Sequence, residues 1–411
     1  MSTELPTLPY GRQQIDDDDV AAVSAVLRGD WLTTGPAVAA FEQALAERVG
    51  ARYAVACSSG TAALHLAALA LELAPGQRAA VPSLTFVATA NAARYAGADV
   101  SFADCDPDTG LMRGNDLQRL LTGPQGNAIT AVCPVHLAGQ VADLPGIAAL
   151  ARNRGLKIVE DASHAIGTSY RDPDNGEWVA VGSCRHSDIT VFSFHPVKTI
   201  AMGEGGALTT NDPALYERLC ELRTHGLTRD PARFEQRQHA FDADGAANPW
   251  YYEQQALGFN YRASDIHCAL GLSQLAKLDR FVEQRAALVQ RYDRLLADLA
   301  PTLRPLARRG DCRPGWHLYV VLIDFAALGR ERAAVMRELR ECGILSQVHY
   351  IPTHRQPYYR QLYGDLTLPG TDAYYDRALS LPLFPGMTEQ DVDRVALALH
   401  EVVAGSGARA S

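Results

Sequence analysis

Short apolar runs alternate with stretches whose apolar positions recur at helical spacing from about residue 50 to 212. That alternation predicts a largely parallel sheet covered by helices. The clearest strands fall at 53–57, 77–81, 129–135, 157–160, 189–194 and 207–210. Helices fill the gaps, most plainly at 61–73 and 144–154. The first of these is the most apolar helical run, yet it carries His65 and Glu72, so it reads as a buried helix.

Outside this block the pattern changes. The acidic run 16–19 opens a helix with Val20, Val23 and Leu27 at helical spacing, and carboxylates in a first turn complement the helix dipole. Residues 229–252 lack periodicity and predict a surface excursion or lid. A helical stretch over 264–299 then leads to a smaller α+β unit, with strands at 316–325 and 344–350 and helices at 331–342 and 388–403. The expected division is a large unit over 12–260 and a connector helix plus small unit over 261–411.

Composition narrows the function classes. With 411 residues, 47% hydrophobic and 21% charged, the chain has the makeup of a folded globular protein. A net charge of -9 and the absence of a strongly basic run argue against a nucleic-acid surface. The first residues lack the marks of a signal peptide, and no apolar run reaches membrane-spanning length, so a cytoplasmic location without membrane partners is expected. The eight cysteines form no Cys-x-x-Cys pair and read as reduced thiols. Cys133 and His136 have a spacing that suits a metal, but no second pair accompanies them, and no metal is expected.

The candidate chemistry centres on Lys198, in Ser193-Phe-His-Pro-Val-Lys198, between a strand and a glycine-rich turn. Desolvation there would favour the neutral, nucleophilic amine; a lysine that snorkels into water is the ordinary alternative. Three companions shift the balance. Ser59-Gly60-Thr61-Ala62 breaks a strand and enters a helix, an arrangement suited to an anion. Asp161 ends a strand, where ligands of open α/β sheets bind, although capping the next helix accounts for it about equally well. Ser193 offers a hydroxyl to the same anion, and Phe86 offers a flat cover or an ordinary core ring.

One chemistry uses all of these groups: pyridoxal 5'-phosphate (PLP) held by a lysine, with a carboxylate for its ring nitrogen. On these segments the chain resembles the DegT-type sugar aminotransferases. The match includes Gly29-Asp-Trp-Leu-Thr-Thr-Gly-Pro36, Glu160-Asp-Ala-Ser-His164, Gly258-Phe-Asn-Tyr-Arg262 and Val348-His-Tyr-Ile-Pro352. It implies an α/β fold of the type I PLP-transferase class, with a large domain on a mainly parallel sheet and a smaller C-terminal α+β domain.

The resemblance also implies roles. Lys198 would carry the cofactor as a Schiff base and move the proton, with Asp161 at the pyridinium nitrogen and His164 near the ring oxygen. Thr61, Ala62 and Ser193 would hold the phosphate, Phe86 would stack on the ring, and Asn260 would reach the partner's site in a homodimer. Tyr10, Asp30, Trp31, Leu32, Thr33, Arg262, Ser346, Gln347, Val348 and His349 would meet a nucleotide sugar.

Within the family, residues 29–36 and 191–198 look most like the branch that aminates C4 of a UDP-linked 4-keto-6-deoxy-N-acetylhexosamine from glutamate, toward pseudaminic acid. GDP- and dTDP-linked ketosugars are the alternatives, followed by a non-catalytic regulatory homologue. The family's dehydratases have histidine in place of the lysine, which disfavours that activity here. Thr199, where histidine is usual, and an insertion over 171–181 depart from the family pattern.

Overall fold

The computed structural model describes residues 6–404; residues 1–5, read above for targeting features, and the end of the predicted C-terminal unit lie outside the described residues. Seven strands form the central sheet: β1 (Tyr53–Cys57), β2 (Arg78–Pro82), β3 (Asp99–Ala103), β4 (Ile129–Val132), β5 (Lys157–Asp161), β6 (Ile189–Ser193) and β7 (Gly206–Thr210). Their order is β1-β7-β6-β5-β4-β2-β3. Only β7 runs antiparallel to its neighbours. β3 is the strand absent from the expected set.

Alternation along β6 shows how the sheet builds two cores. Ile189 and Val191 face one side, beneath the helix Gly60–Ala70, while Phe192 and Phe194 face the other. Phe194 meets Phe41 edge to face at 5.5 Å. The helix Gly60–Ala70 is buried along almost its whole length, His65 included, as its composition predicts. It ends at Leu71, before the left-handed Glu72.

A second, antiparallel sheet joins β8 (Leu303–Pro305), β9 (Tyr319–Ile323) and β10 (Ala378–Leu381). Its core includes Val321, Leu379 and Leu399, the last from the helix Glu389–Ala404. The segment 344–350 is not a strand but an irregular run with isolated bridges at Ile344 and Gln347. The 171–181 region lies within a hairpin, Ser169–Arg171 with Trp178–Ala180, joined by Cys312–Arg313.

Two other expectations change. The helical stretch 264–299 is two helices, Asp265–Leu275 and Leu278–Leu295, followed by one turn. Lys277 caps the second and donates to Asp19 at 2.9 Å and to Asp16. In the helix Asp17–Leu27, Val20 and Leu27 are exposed, and the buried residue is Asp19. That carboxylate accepts from Ser273 Oγ at 2.6 Å and Gln274 Nε2 at 2.8 Å, so polar pairing holds this helix in place. Asp16 and Asp19 also form a reciprocal capping box. The 229–252 excursion is ordered around Phe234 and Tyr251, 4.9 Å apart edge to face.

Candidate active site

The C-terminal ends of β5 and β6 and the start of the helix Gly60–Ala70 meet around a cavity of about 290 Å³, at the lower end of the ~300–1,000 Å³ usual for small-molecule sites. Ser59 caps the helix, its hydroxyl accepting the Ala62 N–H at 3.1 Å. Gly60 begins it directly against Ser193: a Cβ on Gly60 would stand 2.8 Å from the Ser193 Cβ. The close approach brings Ser193 and Thr61 to one end of the cavity beside a helix N-terminus, a setting for an anion. Gly60→Ala is expected to lower stability by about 1–3 kcal/mol through overpacking, measured by denaturant unfolding.

Asp161 is 4% exposed on the cavity wall. Its Oδ2 accepts from Thr89 Oγ1 at 2.7 Å, and its Oδ1 accepts from the Ser163 N–H at 3.1 Å and hydroxyl at 2.6 Å. With the Thr89 proton given to Asp161, Thr85 donates to Thr89 across 2.7 Å, so the hydroxyls form a relay that fixes the carboxylate. Asp161 thus faces the cavity, as the ligand-site reading expects; no helix follows it to be capped, and its second contact is with the turn at Ser163.

Lys198 lines the same cavity. Burial lowers its ammonium to about 8, against the opposing pull of Asp161. Three buried histidines share this space. His164 Nδ1 accepts the Ala138 N–H at 3.4 Å, which leaves Nε2 to face Tyr350 Oη at 2.9 Å. Burial first, then Lys198 and His349, hold His164 well below the usual imidazole range. Burial, then Lys198, lowers His349 to about 3; its Nδ1 pairs with Ser380 Oγ at 2.8 Å. The third is His317. Lys198 therefore sits among three neutral buried imidazoles and the buried Asp161 carboxylate, while the exposed His195 and Glu204 also line the cavity.

Of the residues named from the sequence, Lys198, Asp161, His164, Ser193, Thr61, Phe86, Tyr10 and His349 line one cavity. Ala62 lies behind it, with its N–H committed to Ser59. Asp30, Trp31, Leu32 and Thr33 are exposed beside residues 264–265, and Asn260 is exposed opposite Thr224. Arg262 bridges Cys57, while Ser346, Gln347 and Val348 sit near β10, outside the cavity.

Sequence reasoning missed Thr85, Thr89, Tyr350 and His317. Thr85 and Thr89 flank Phe86 at one-turn spacing, a signal that was present. His136 pairs with Glu160 at 3.0 Å through Nε2 and accepts the Ala142 N–H at 3.2 Å through Nδ1, so both its nitrogens are taken. The potential ligand cluster among the described residues is Asp172 and Asp174, in the turn of the hairpin, with His186, which follows it.

The groups fit PLP: a depressed-pKa amine, a buried carboxylate across the cavity, and a capped helix start at the far end. Solved structures are similar over nearly the whole chain. An aminotransferase from Helicobacter pylori involved in the biosynthesis of pseudoaminic acid is 28% identical, with a TM-score of 0.85 over 97% of this chain and 99% of that one. An aminotransferase from Streptoalloteichus hindustanus is 28% identical, with a TM-score of 0.84 and the same coverage. A protein from Streptococcus pneumoniae described as a sugar aminotransferase, in its PLP form, is 27% identical, with a TM-score of 0.84 over 97% of this chain and 99% of that one. The family of DegT/DnrJ/EryC1/StrS aminotransferases matches residues 13–400, and the chain belongs to it, a PLP-dependent sugar aminotransferase of α/β fold.

Proposed function

We propose that this enzyme transfers an amino group from glutamate to C4 of a UDP-linked 4-keto-6-deoxy-N-acetylhexosamine, as the UDP-4-amino-4,6-dideoxy-N-acetyl-β-L-altrosamine transaminase of pseudaminic acid biosynthesis. The observation that carries the amination chemistry is the Lys198 amine sharing one cavity with the buried Asp161 carboxylate. The substrate assignment is supported by the likeness to the Helicobacter pylori enzyme and by segments 29–36 and 191–198.

In this reading PLP, when bound, supplies an aldehyde for the amine and a ring that withdraws electrons from the carbon gaining or losing nitrogen. Lys198 would hold the cofactor through its amine, and its Nζ would carry the proton for the reacting carbon. Asp161 keeps the ring nitrogen positive. Thr61 and Ser193 would hold the phosphate, with Ala62 behind them, and Phe86 and His164 would hold the ring. Tyr10 and His349 meet the sugar. Asp30, Trp31, Leu32, Thr33, Arg262, Ser346, Gln347 and Val348 extend the surface toward the nucleotide, Arg262 suiting a diphosphate. Asn260 completes the neighbouring site of a homodimer, a reading that the exposed Trp31, Leu32 and Leu257 support.

The decisive assay offers UDP-, GDP- and dTDP-linked 4-ketosugars with glutamate. Turnover of the UDP-N-acetyl substrate is expected; turnover confined to a GDP- or dTDP-sugar would sink the assignment.

The depressed amine also sets a pH dependence. Attachment of PLP needs the uncharged amine, whose fraction rises as pH passes upward through about 8. Cofactor uptake by the cofactor-free protein is therefore expected to accelerate between about pH 7 and 9 and then level off. Stopped-flow absorbance measures it, and a rate still climbing steeply above pH 10 would place the amine at its ordinary value.

A further inference from the structure

His317 is held more firmly than its sequence setting suggests. Its N–H donates to Ala138 O at 3.1 Å, and its carbonyl accepts from Arg285 Nη1 at 3.1 Å. The two backbone segments around it pack so closely that a Cβ on Gly139 would lie 2.7 Å from Gly315 O, and one on Gly315 would lie 2.7 Å from Ile166 O. Ala138, with φ of 58°, sits in the left-handed region that L residues seldom adopt, and it binds both His164 and His317. The two imidazoles lie 4.3 Å apart, tilted by 48°.

This scaffold positions a ring with unmatched nitrogens. His317 is 3% exposed, and its Nδ1 is sealed from solvent with no hydrogen-bond partner. Its Nε2 has no hydrogen-bond partner among the described residues and, unlike Nδ1, is not sealed from solvent, on a residue that lines the cavity. A sealed N–H without an acceptor is costlier and rarer than a bare acceptor, so the proton belongs on Nε2. Burial, then His164, Lys198 and Arg285, keep the ring neutral. His317 therefore presents one uncharged N–H to the cavity.

We infer that His317 is a substrate-orienting residue that donates from Nε2 to a hydroxyl or keto oxygen of the sugar, an inference that rests on the proposed sugar substrate. A neutral N–H complements a neutral oxygen; the amino donor's carboxylate calls instead for a charge-assisted pair, which this ring does not offer. His317 thus serves the half of the reaction that takes the sugar, and the glutamate half proceeds without it.

The two halves can be read separately on the holoenzyme by visible absorbance. PLP-loaded protein is mixed with glutamate alone, and glutamate-reduced protein is mixed with the 4-ketosugar that the wild type turns over in the panel. His317→Phe is expected to slow the sugar half about tenfold or more while changing the glutamate half by less than about threefold. His317→Gln, whose carboxamide N–H replaces the Nε2 donor, is expected to recover most of that loss. Should the Phe variant not fold, His317→Ala against His317→Gln carries the same comparison. Equal slowing of both halves would overturn the inference in favour of a purely structural or cofactor-side role, as would an unchanged sugar half. A wild type that reacts with glutamate but with no ketosugar would refute the proposed function itself, a result distinct from any His317 outcome.

Discussion

Lys198→Ala is expected to abolish transamination, with kcat falling by at least about 10⁴-fold, the upper end of what loss of one acid–base group costs, because covalent attachment is lost as well. The Lys198 amine, its pKa lowered by burial, is the only lysine among the described cavity-lining residues, and the histidines around it cannot take its place. His164, His317 and His349 are neutral, but their nitrogens are committed to Ala138, Tyr350 and Ser380 or turned toward the substrate side. The variant should still fold, since Lys198 makes no side-chain hydrogen bond or ion pair among the described residues and its backbone N–H bonds His195 O at 2.8 Å independently of the side chain. It should still bind PLP through the phosphate end, but without the visible band of attached cofactor. Borohydride followed by peptide mass analysis should fix the cofactor on Lys198 in the wild type and nowhere in the variant. A variant retaining more than a hundredth of wild-type turnover would contradict the assignment.

The sequence revealed the parts of this site that depend on local pattern. The strand ends at Asp161 and Ser193 follow from short apolar runs, and the Ser59 cap follows from a serine placed before a helical stretch. What it hid depends on tertiary approach. Thr89 meets Asp161 across 72 positions, brought together only when β2 and β5 lie in one sheet. His317 comes from the second sheet's approach to residues 137–139, which no periodicity announces. β3 escaped notice because it is an edge strand carrying Asp99 and Ser101, whose polar groups are taken up by Arg94 and Arg78. The helix Asp17–Leu27 misled in the opposite sense: its apolar spacing is real, yet Asp19 is the residue turned inward. Of the residues named by resemblance for the sugar nucleotide, Tyr10 and His349 line the cavity and the others lie outside it.

Asp161→Asn is expected to lower kcat by about 150- to 5,000-fold, the rate equivalent of the ~3–5 kcal/mol lost when a buried ion pair loses one partner. The side chain keeps its shape, so the Ser163 turn and the Thr89 contact survive in part, and the effect isolates the charge. In the proposed role of Asp161, loss of the carboxylate would leave the ring nitrogen of PLP without the partner that keeps it protonated and the ring a poorer electron sink. Both half-reactions should suffer alike, which separates this variant from His317→Phe. Thr89→Val offers a graded control: the carboxylate stays but loses one of its hydrogen bonds, and a decrease of about three- to tenfold is expected. If Asp161→Asn slowed turnover no more than Thr89→Val does, Asp161 would be a residue that holds the Ser163 turn and whose charge the chemistry does not use. Attachment of the cofactor to Lys198 should persist in both variants, visible as borohydride-fixed PLP, because the amine and the phosphate end are untouched.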